Sequence, residues 1–183
     1  MLDQLIDILN NTPALEEVKN SIVIKEIPAK TILLNQGDVS KNIFIIKKGS
    51  LRLWYNKDGK DITIQFFFEN QPIASVDSLL SGLPSKFIIE SIEPSTIAVI
   101  SKESIKLIKE QLPDFESQFN EFIFNRFRNY AQLFMSRIID TPLERYNELV
   151  KNNPEILQRV PQHYIASYLG ITPVSLSRIR KRK

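Results

Sequence analysis

The sequence predicts an α+β protein: an N-terminal β-sandwich, barrel or jelly roll, then one long helix, then a C-terminal helix-turn-helix. Three observations predict it. Short runs rich in β-branched and aromatic residues follow one another from Ser21 to Ser101, separated by turn residues. Apolar residues then recur at spacings of three and four from Phe115 to Ile138. From Pro161 onward the chain holds five Lys/Arg and no Asp/Glu, whereas residues 1–160 carry 19 basic and 21 acidic side chains. The net charge of +3 therefore hides a positive charge confined to one end.

Taken in order, Leu2, Leu5, Ile6 and Leu9 recur at helical spacing and predict a short opening helix. Thr12 and Pro13 have the residue types of a helix cap and first position, and "TPALEEV" reads as a further turn or two. The strand-like runs are "SIVIKEI", "TILL", "NIFIIK", "SLRLWYN", "DITIQFFF", "KFIIESI" and "STIAVIS". Asp58-Gly59 between two of them is a tight hairpin signal, because such turns need positive φ. "DSLLSGLPS" (77–85) interrupts the strands and reads as one helical turn plus a loop. "KESIKLIKEQL" is a short amphipathic helix that Pro113 ends.

Residues 114–140 predict a helix of about 27 residues, roughly 40 Å long. Its apolar surface is wider than one buried face needs, so one side is expected to cover the β-region and another to meet a second copy of the chain, the alternative being a helix buried in its own domain. Thr141, Pro142 and Glu144 open the next helix with a capping box. The expected organisation is a β-rich domain with its N-terminal helix over residues 1–112, a dimerisation helix over 113–140, and a helix-turn-helix over 141–183.

The closing segment carries the chemistry. Gln162 to Leu169 forms a first helix, with Ile165 and Leu169 inward and Ala166 allowing close approach. Gly170 stands where a left-handed helix end is needed. Thr172 caps a second helix that begins at Pro173. On that helix Leu176 and Ile179 point inward, while Val174, Ser177, Arg178, Lys181 and Arg182 point out. Such a helix suits the major groove of DNA. Val174 fits a thymine methyl, Arg178 a guanine, and Thr172 and Ser175 phosphates or bases. Gln162 and His163 stand at the start of the first helix, where they face phosphate.

Composition excludes several classes. The chain has no cysteine, so disulfides, thiolate nucleophiles, Fe–S clusters and Cys-type zinc sites are excluded. One histidine, outside the β-region, leaves a cupin-type metal enzyme as the least favoured reading and an enzyme is not expected. No apolar run approaches a membrane span and the N-terminus lacks signal-peptide character, so a cytoplasmic protein is expected.

The order of these parts resembles the cyclic AMP receptor protein/Fnr family of bacterial transcription regulators. There a β-roll sensor, similar to cyclic nucleotide-binding domains, is joined by a dimerisation helix to a helix-turn-helix. "GDVSKNIFIIKKGSLRL" (37–53) resembles the family's β-roll hairpin signature, and "IASYLGITPVSLSRIRK" (165–181) its DNA-reading element. "ASVDSLLSGLPSKFIIESIE" (74–93) falls at its phosphate-binding cassette. The resemblance implies double-stranded DNA and a second copy of the chain as partners, with RNA polymerase and an unidentified small-molecule effector, and no membrane. It places an effector pocket at Ser75, Val76, Asp77, Ser85, Lys86 and Tyr130, and a dimer interface at Phe119, Phe122, Ile123, Tyr130 and Phe134. Cyclic AMP in the family's manner is not expected. Ala74-Ser75 replaces the Gly-Glu pair that holds the ribose, and Ser85-Lys86 the Arg-Ser pair that holds the phosphate. The adenine-reading Thr-Ser pair is missing from "RFRNYAQL" (126–133). Haem sensing through a β-roll histidine has no residue to rest on. Pro173-Val174 stands where the family often has Arg-Glu, so the target sequence differs, and the β-hairpin wing before the helix-turn-helix is expected to be reduced or absent. A dimeric ligand-binding or scaffold β-roll without DNA-dependent activity is the competing expectation.

Overall fold

The computed structural model of the chain describes residues 16–181. The expected opening helix at Leu2–Leu9, the Thr12-Pro13 start, Arg182 and Lys183 lie outside the described residues.

Each strand-like run becomes a strand. They are β1 (Val23–Ile27), β2 (Ile32–Leu34), β3 (Asn42–Lys48), β4 (Leu51–Lys57), β5 (Lys60–Phe67), β7 (Ile88–Ser91) and β8 (Ser95–Ser101). A two-residue β6 (Pro72–Ile73) adds to them. They form two four-stranded sheets of antiparallel neighbours, ordered β1-β8-β3-β6 and β2-β7-β4-β5. Alternation along the strands sends Phe44, Ile46 and Ile97 of the first sheet against Leu51, Leu53, Phe67 and Ile89 of the second. This interleaved layer is the core of the roll. The expected hairpin joins β4 to β5, with Asp58 and Gly59 at φ of 52° and 84° and Lys57 paired to Lys60.

Gly49 turns the chain between β3 and β4 at φ of 99°. A Cβ there would lie 2.8 Å from the Cα of Ser95, and its amide donates to Glu69 Oε1 at 2.9 Å. Gly49→Ala combines a left-handed conformation with a backbone clash, and should lower stability by about 2 kcal/mol. A urea titration should show a lower midpoint at unchanged slope.

The helices among the described residues are α1 (Glu16–Ser21), α2 (Val76–Ser81), α3 (Lys102–Gln111), α4 (Pro113–Ile139), α5 (Pro142–Asn152), α6 (Ile156–Arg159), α7 (Gln162–Leu169) and α8 (Pro173–Lys181). Gly82 ends α2 in the left-handed region. The capping box of α5 is present: Thr141 Oγ1 accepts from the Glu144 amide, and Glu144 Oε2 accepts from the Thr141 amide. Helix α6 was not expected from the sequence. Among the described residues it is the only element between α5 and α7, so no strand of a wing stands there. No helix among them is long and apolar enough to cross a membrane.

One face of α4 packs against the roll of its own chain. Phe119 is buried with Ile43, Ile45, Ala98 and Ile100 on the outer side of the first sheet, and Phe115, Phe122 and Ile123 pack there in part. Tyr130 reaches the layer between the sheets. The C-terminal helices share a further core with the roll. Leu149, Ile156, Val160, Ile165, Ala166, Leu169 and Leu176 gather on Phe66 and Ile92, on the face of the second sheet opposite Leu51 and Leu53.

Candidate nucleic-acid interface and effector pocket

Helices α7 and α8 form the expected pair. Gly170 takes φ of 70°, and its amide reaches back to the carbonyls of Ala166 and Ser167. Thr172 Oγ1 accepts the Ser175 amide at 3.2 Å and bonds the Ser175 hydroxyl at 3.0 Å, so the cap of α8 is made by the side chain expected to make it. Leu176 is fully buried and Ile179 packs against the same core. Thr172, Val174, Ser177, Arg178 and Lys181 are exposed, and Ser175 is half-buried beside them. Gln162 and His163 are exposed at the first turn of α7, with the His163 ring 4.1 Å from that of Tyr164.

A cleft of about 320 Å³ lies between Gln162, Ser177, Arg180 and Lys181. Arg180 was counted in the basic cluster but given no position at the site. Its place beside Gln162 follows from helix pairing, which brings the start of α7 to the side of α8. The described part of α8 thus presents Arg178, Arg180 and Lys181 with no carboxylate on the helix.

The α7–α8 pair is tied to the roll by polar contacts. Arg52 of β4 is 2% exposed. Its Nε and Nη2 donate to Glu90 Oε2 at 2.9 and 2.6 Å, and Nη1 donates to Asp61 and Thr63. Its guanidinium lies 3.6 Å from the ring centre of Tyr164 on α7. Ser167 of α7 donates to the Asp61 carbonyl at 2.8 Å and accepts the Thr63 amide at 2.9 Å, as a neighbouring strand would. Arg159 of α6 makes forked contacts to Glu69 and Glu93 of the roll. Those hydrogen bonds hold the Glu69 carboxyl below the ordinary carboxylate range. Arg137, near the end of α4, donates to the carbonyls of Tyr168 and Thr63 at 3.0 and 3.3 Å. One side chain thereby joins the long helix, the sheet and α7.

The cassette residues divide. Ser75 and Ser85 are buried and face each other, with the Ser85 hydroxyl donating to Ser75 Oγ at 2.8 Å. Ser85 Oγ also accepts the Phe87 amide. Val76 is half-buried at the first position of α2, and Asp77 and Lys86 are exposed. Lys86 is therefore turned to solvent rather than brought to the buried serine pair. Tyr130 approaches from α4 and is half-buried.

The residues expected at a dimer interface differ in exposure. Phe119 is buried in its own subunit, and Phe122, Ile123 and Tyr130 pack in part against its own roll. Of the five, Phe134 alone is exposed. The open apolar face of α4 instead runs through Phe124, Phe127, Phe134 and Ile138, which are 63%, 69%, 64% and 64% exposed, with Ala131 between them. Helical spacing showed two apolar faces but not which of them meets the roll.

No group of three or more His, Cys, Asp or Glu that could hold a metal ion occurs among the described residues. Residues 24–111 match the cyclic nucleotide-binding domain family. No curated protein matches the sequence. Among solved structures, a putative transcriptional regulator of the Crp/Fnr family from Eubacterium rectale is similar with a TM-score of 0.76 at 18% identity, over 95% of this chain and 85% of that one. FixK2 from Bradyrhizobium japonicum is similar with a TM-score of 0.74 at 14% identity, over 88% and 83%. The c-di-GMP responsive global regulator CLP of Xanthomonas campestris is similar with a TM-score of 0.70 at 13% identity, over 92% and 89%. Residues 24–111 are thus similar to the cyclic nucleotide-binding domain family, and the chain shares the fold of the Crp/Fnr-type regulators it resembles.

Proposed function

We propose that the protein is a homodimeric, sequence-specific DNA-binding transcription regulator, and not an enzyme, acting in the cytoplasm. The observation that carries this reading is the α7–α8 pair. A side-chain-capped helix there buries Leu176 and exposes Val174, Ser177, Arg178 and Lys181 on the opposite side. A helix that merely closed a core would have no use for a cationic outer face bare of carboxylates. In this reading Arg178 contacts a base, Val174 a thymine methyl, and Arg180, Lys181 and Arg182 phosphates, with Gln162 and His163 at the backbone. RNA polymerase is the partner through which such a regulator acts.

Two copies reach successive major grooves when their α8 helices stand about 34 Å apart. The spacing depends on α4, and Arg137 links the last turns of α4 to α7. A small molecule bound to the roll acts by favouring one placement of α4 over another. Cyclic AMP held in the family's way does not fit. The ribose carboxylate and the phosphate arginine are replaced, the buried serines bond each other, and Lys86 is exposed.

The test is selection of bound DNA from a random pool, followed by gel shift with Arg178→Ala. A two-fold symmetric site is expected. Arg178→Ala should weaken binding to it by about 1–3 kcal/mol, roughly 5- to 150-fold, and relax preference at one position of each half-site. Binding that stays sequence-independent, or is unchanged in the variant, would refute the reading.

A further inference from the structure

Two buried arginines, Arg52 and Arg126, and the half-buried Arg159 set up a contrast. Arg52 is matched by Glu90 and Asp61, and Arg159 by Glu69, Glu93 and Glu155. Arg126, on α4, is 7% exposed and takes part in no ion pair among the described residues. Its Nε and Nη2 are enclosed and have no hydrogen-bond partner. Those two nitrogens make one edge of the guanidinium fork, the edge whose parallel N–H groups match the two oxygens of a carboxylate or phosphate. The guanidinium lies 4.4 Å from the ring centre of Phe67 and 5.4 Å from that of Tyr130. Phe67 is fully buried in the layer between the sheets, and Tyr130 packs against the same layer one helical turn after Arg126. This enclosed, unpaired edge is thus held in the seam between the roll and the long helix.

A permanently charged group at such a place costs stability unless something anionic meets it. Burial also pushes the guanidinium below its ordinary value, with the charge of Tyr130 and its hydrogen bond to the guanidinium offsetting part of that; the enclosed Nε and Nη2 keep no partner. The cassette stretch supplies no ion pair to it: Ser75 and Ser85 are neutral and bonded to each other, Glu90 and Glu93 pair with Arg52 and Arg159, and Asp77 is exposed. The geometry points to a binding site for a small oxyanion, carboxylate or phosphate, held by the free Nε–Nη2 edge of Arg126 with the rings of Phe67 and Tyr130 beside it. The anion is gripped from the long helix rather than from the cassette, so its binding bears directly on where α4 sits. This rests on the reading of the roll as the sensing half of a regulator.

The experiment uses the full chain. Thermal melts are recorded with succinate, inorganic phosphate and cyclic AMP, each against sodium chloride of equal ionic strength, for the wild type, Arg126→Lys and Arg126→Gln. Succinate or phosphate should raise the wild-type Tm saturably by about 5 °C. Which of the two does so identifies the anion class. The half-saturating concentration should rise at least about tenfold in Arg126→Gln and less in Arg126→Lys. Without added anion, Arg126→Gln should melt at or above the wild type, because it removes an unmatched buried charge. A purely structural arginine predicts the reverse. No saturable rise with either oxyanion, an equal rise in Arg126→Gln, or a lower melting point of the unliganded Arg126→Gln would each overturn the inference. A response to cyclic AMP alone that survives Arg126→Gln would do so as well. Gel shift on the selected DNA separates this from the regulator reading. Wild-type DNA binding without any oxyanion response sinks only the anion site, whereas an Arg126-dependent oxyanion response without DNA binding sinks only the regulator.

Discussion

Arg52→Ala should destabilise the fold by about 3–5 kcal/mol, the largest stability loss expected of a single substitution in the roll. The cost is less the lost attraction than the charge left behind. Glu90 is 7% exposed and stands directly across from Arg52 in the β4–β7 register. Among the described residues the side-chain hydrogen bonds of Glu90 come from that guanidinium. Asp61, at 35% side-chain exposure, can be rehydrated, so Glu90 carries most of the penalty. The variant also empties the space over Trp54 and Tyr164, removing ring contacts at 4.6 and 3.6 Å. For a chain of this length the melting temperature should fall by roughly 10 °C.

A companion variant separates charge from packing. Arg52→Met with Glu90→Leu removes both charges and keeps most of the volume, and should recover most of the loss. If the double variant is no better than Arg52→Ala, the unmatched carboxylate is not the cause. Because Arg52 reaches Tyr164 of α7, the single variant should also loosen the reading element. Amide exchange in α7 should then speed up more than in β3, which lies in the opposite sheet.

The sequence was informative where a structural cause is local. Strand runs, the Asp58-Gly59 hairpin, the Thr141 capping box and the Gly170–Thr172 turn each depend on residues a few positions apart. It was uninformative where the cause joins distant segments. "SLRLWYN" puts Arg52 on the face opposite Leu51 and Leu53, which reads as a solvent face. Only the arrival of α7, more than a hundred residues later, buries it. The same docking gives Ser167 and Arg159 their partners, and nothing in their neighbourhoods announces it. Strand β6 is two residues long and begins with proline, too short for alternation to show. On α4 the apolar spacing was visible, but it satisfies two faces at once. Phe119 and Phe127 are the same residue type two helical turns apart, yet one is 8% exposed and the other 69%. The difference arises because 100° per residue carries an eight-residue step 80° round the helix, from the roll to open surface.

Phe127→Glu should therefore abolish the proposed dimer while leaving the subunit folded. Phe124, Phe127, Ala131, Phe134 and Ile138 are spaced three, four, three and four apart, the a/d pattern of a helix meeting its own copy. Among the described residues none of them joins a buried core cluster, and a row of large apolar side chains more than 60% exposed needs a partner. Burying one phenylalanine contributes about 1.5–3 kcal/mol, and a two-fold interface loses two of them. A loss of at least about 3 kcal/mol weakens dimerisation more than roughly hundredfold, before counting two carboxylates forced together. Sedimentation should show a monomer at concentrations where the wild type is dimeric, with a subunit melting transition that remains cooperative. Affinity for a two-half-site DNA should fall with it, because each monomer then engages one half-site alone. Phe127→Leu keeps the apolar contact and should restore both properties. A Phe127→Glu protein that stays dimeric would move the interface off this face of α4, and with it the proposed route by which the long helix sets the spacing of the two reading helices.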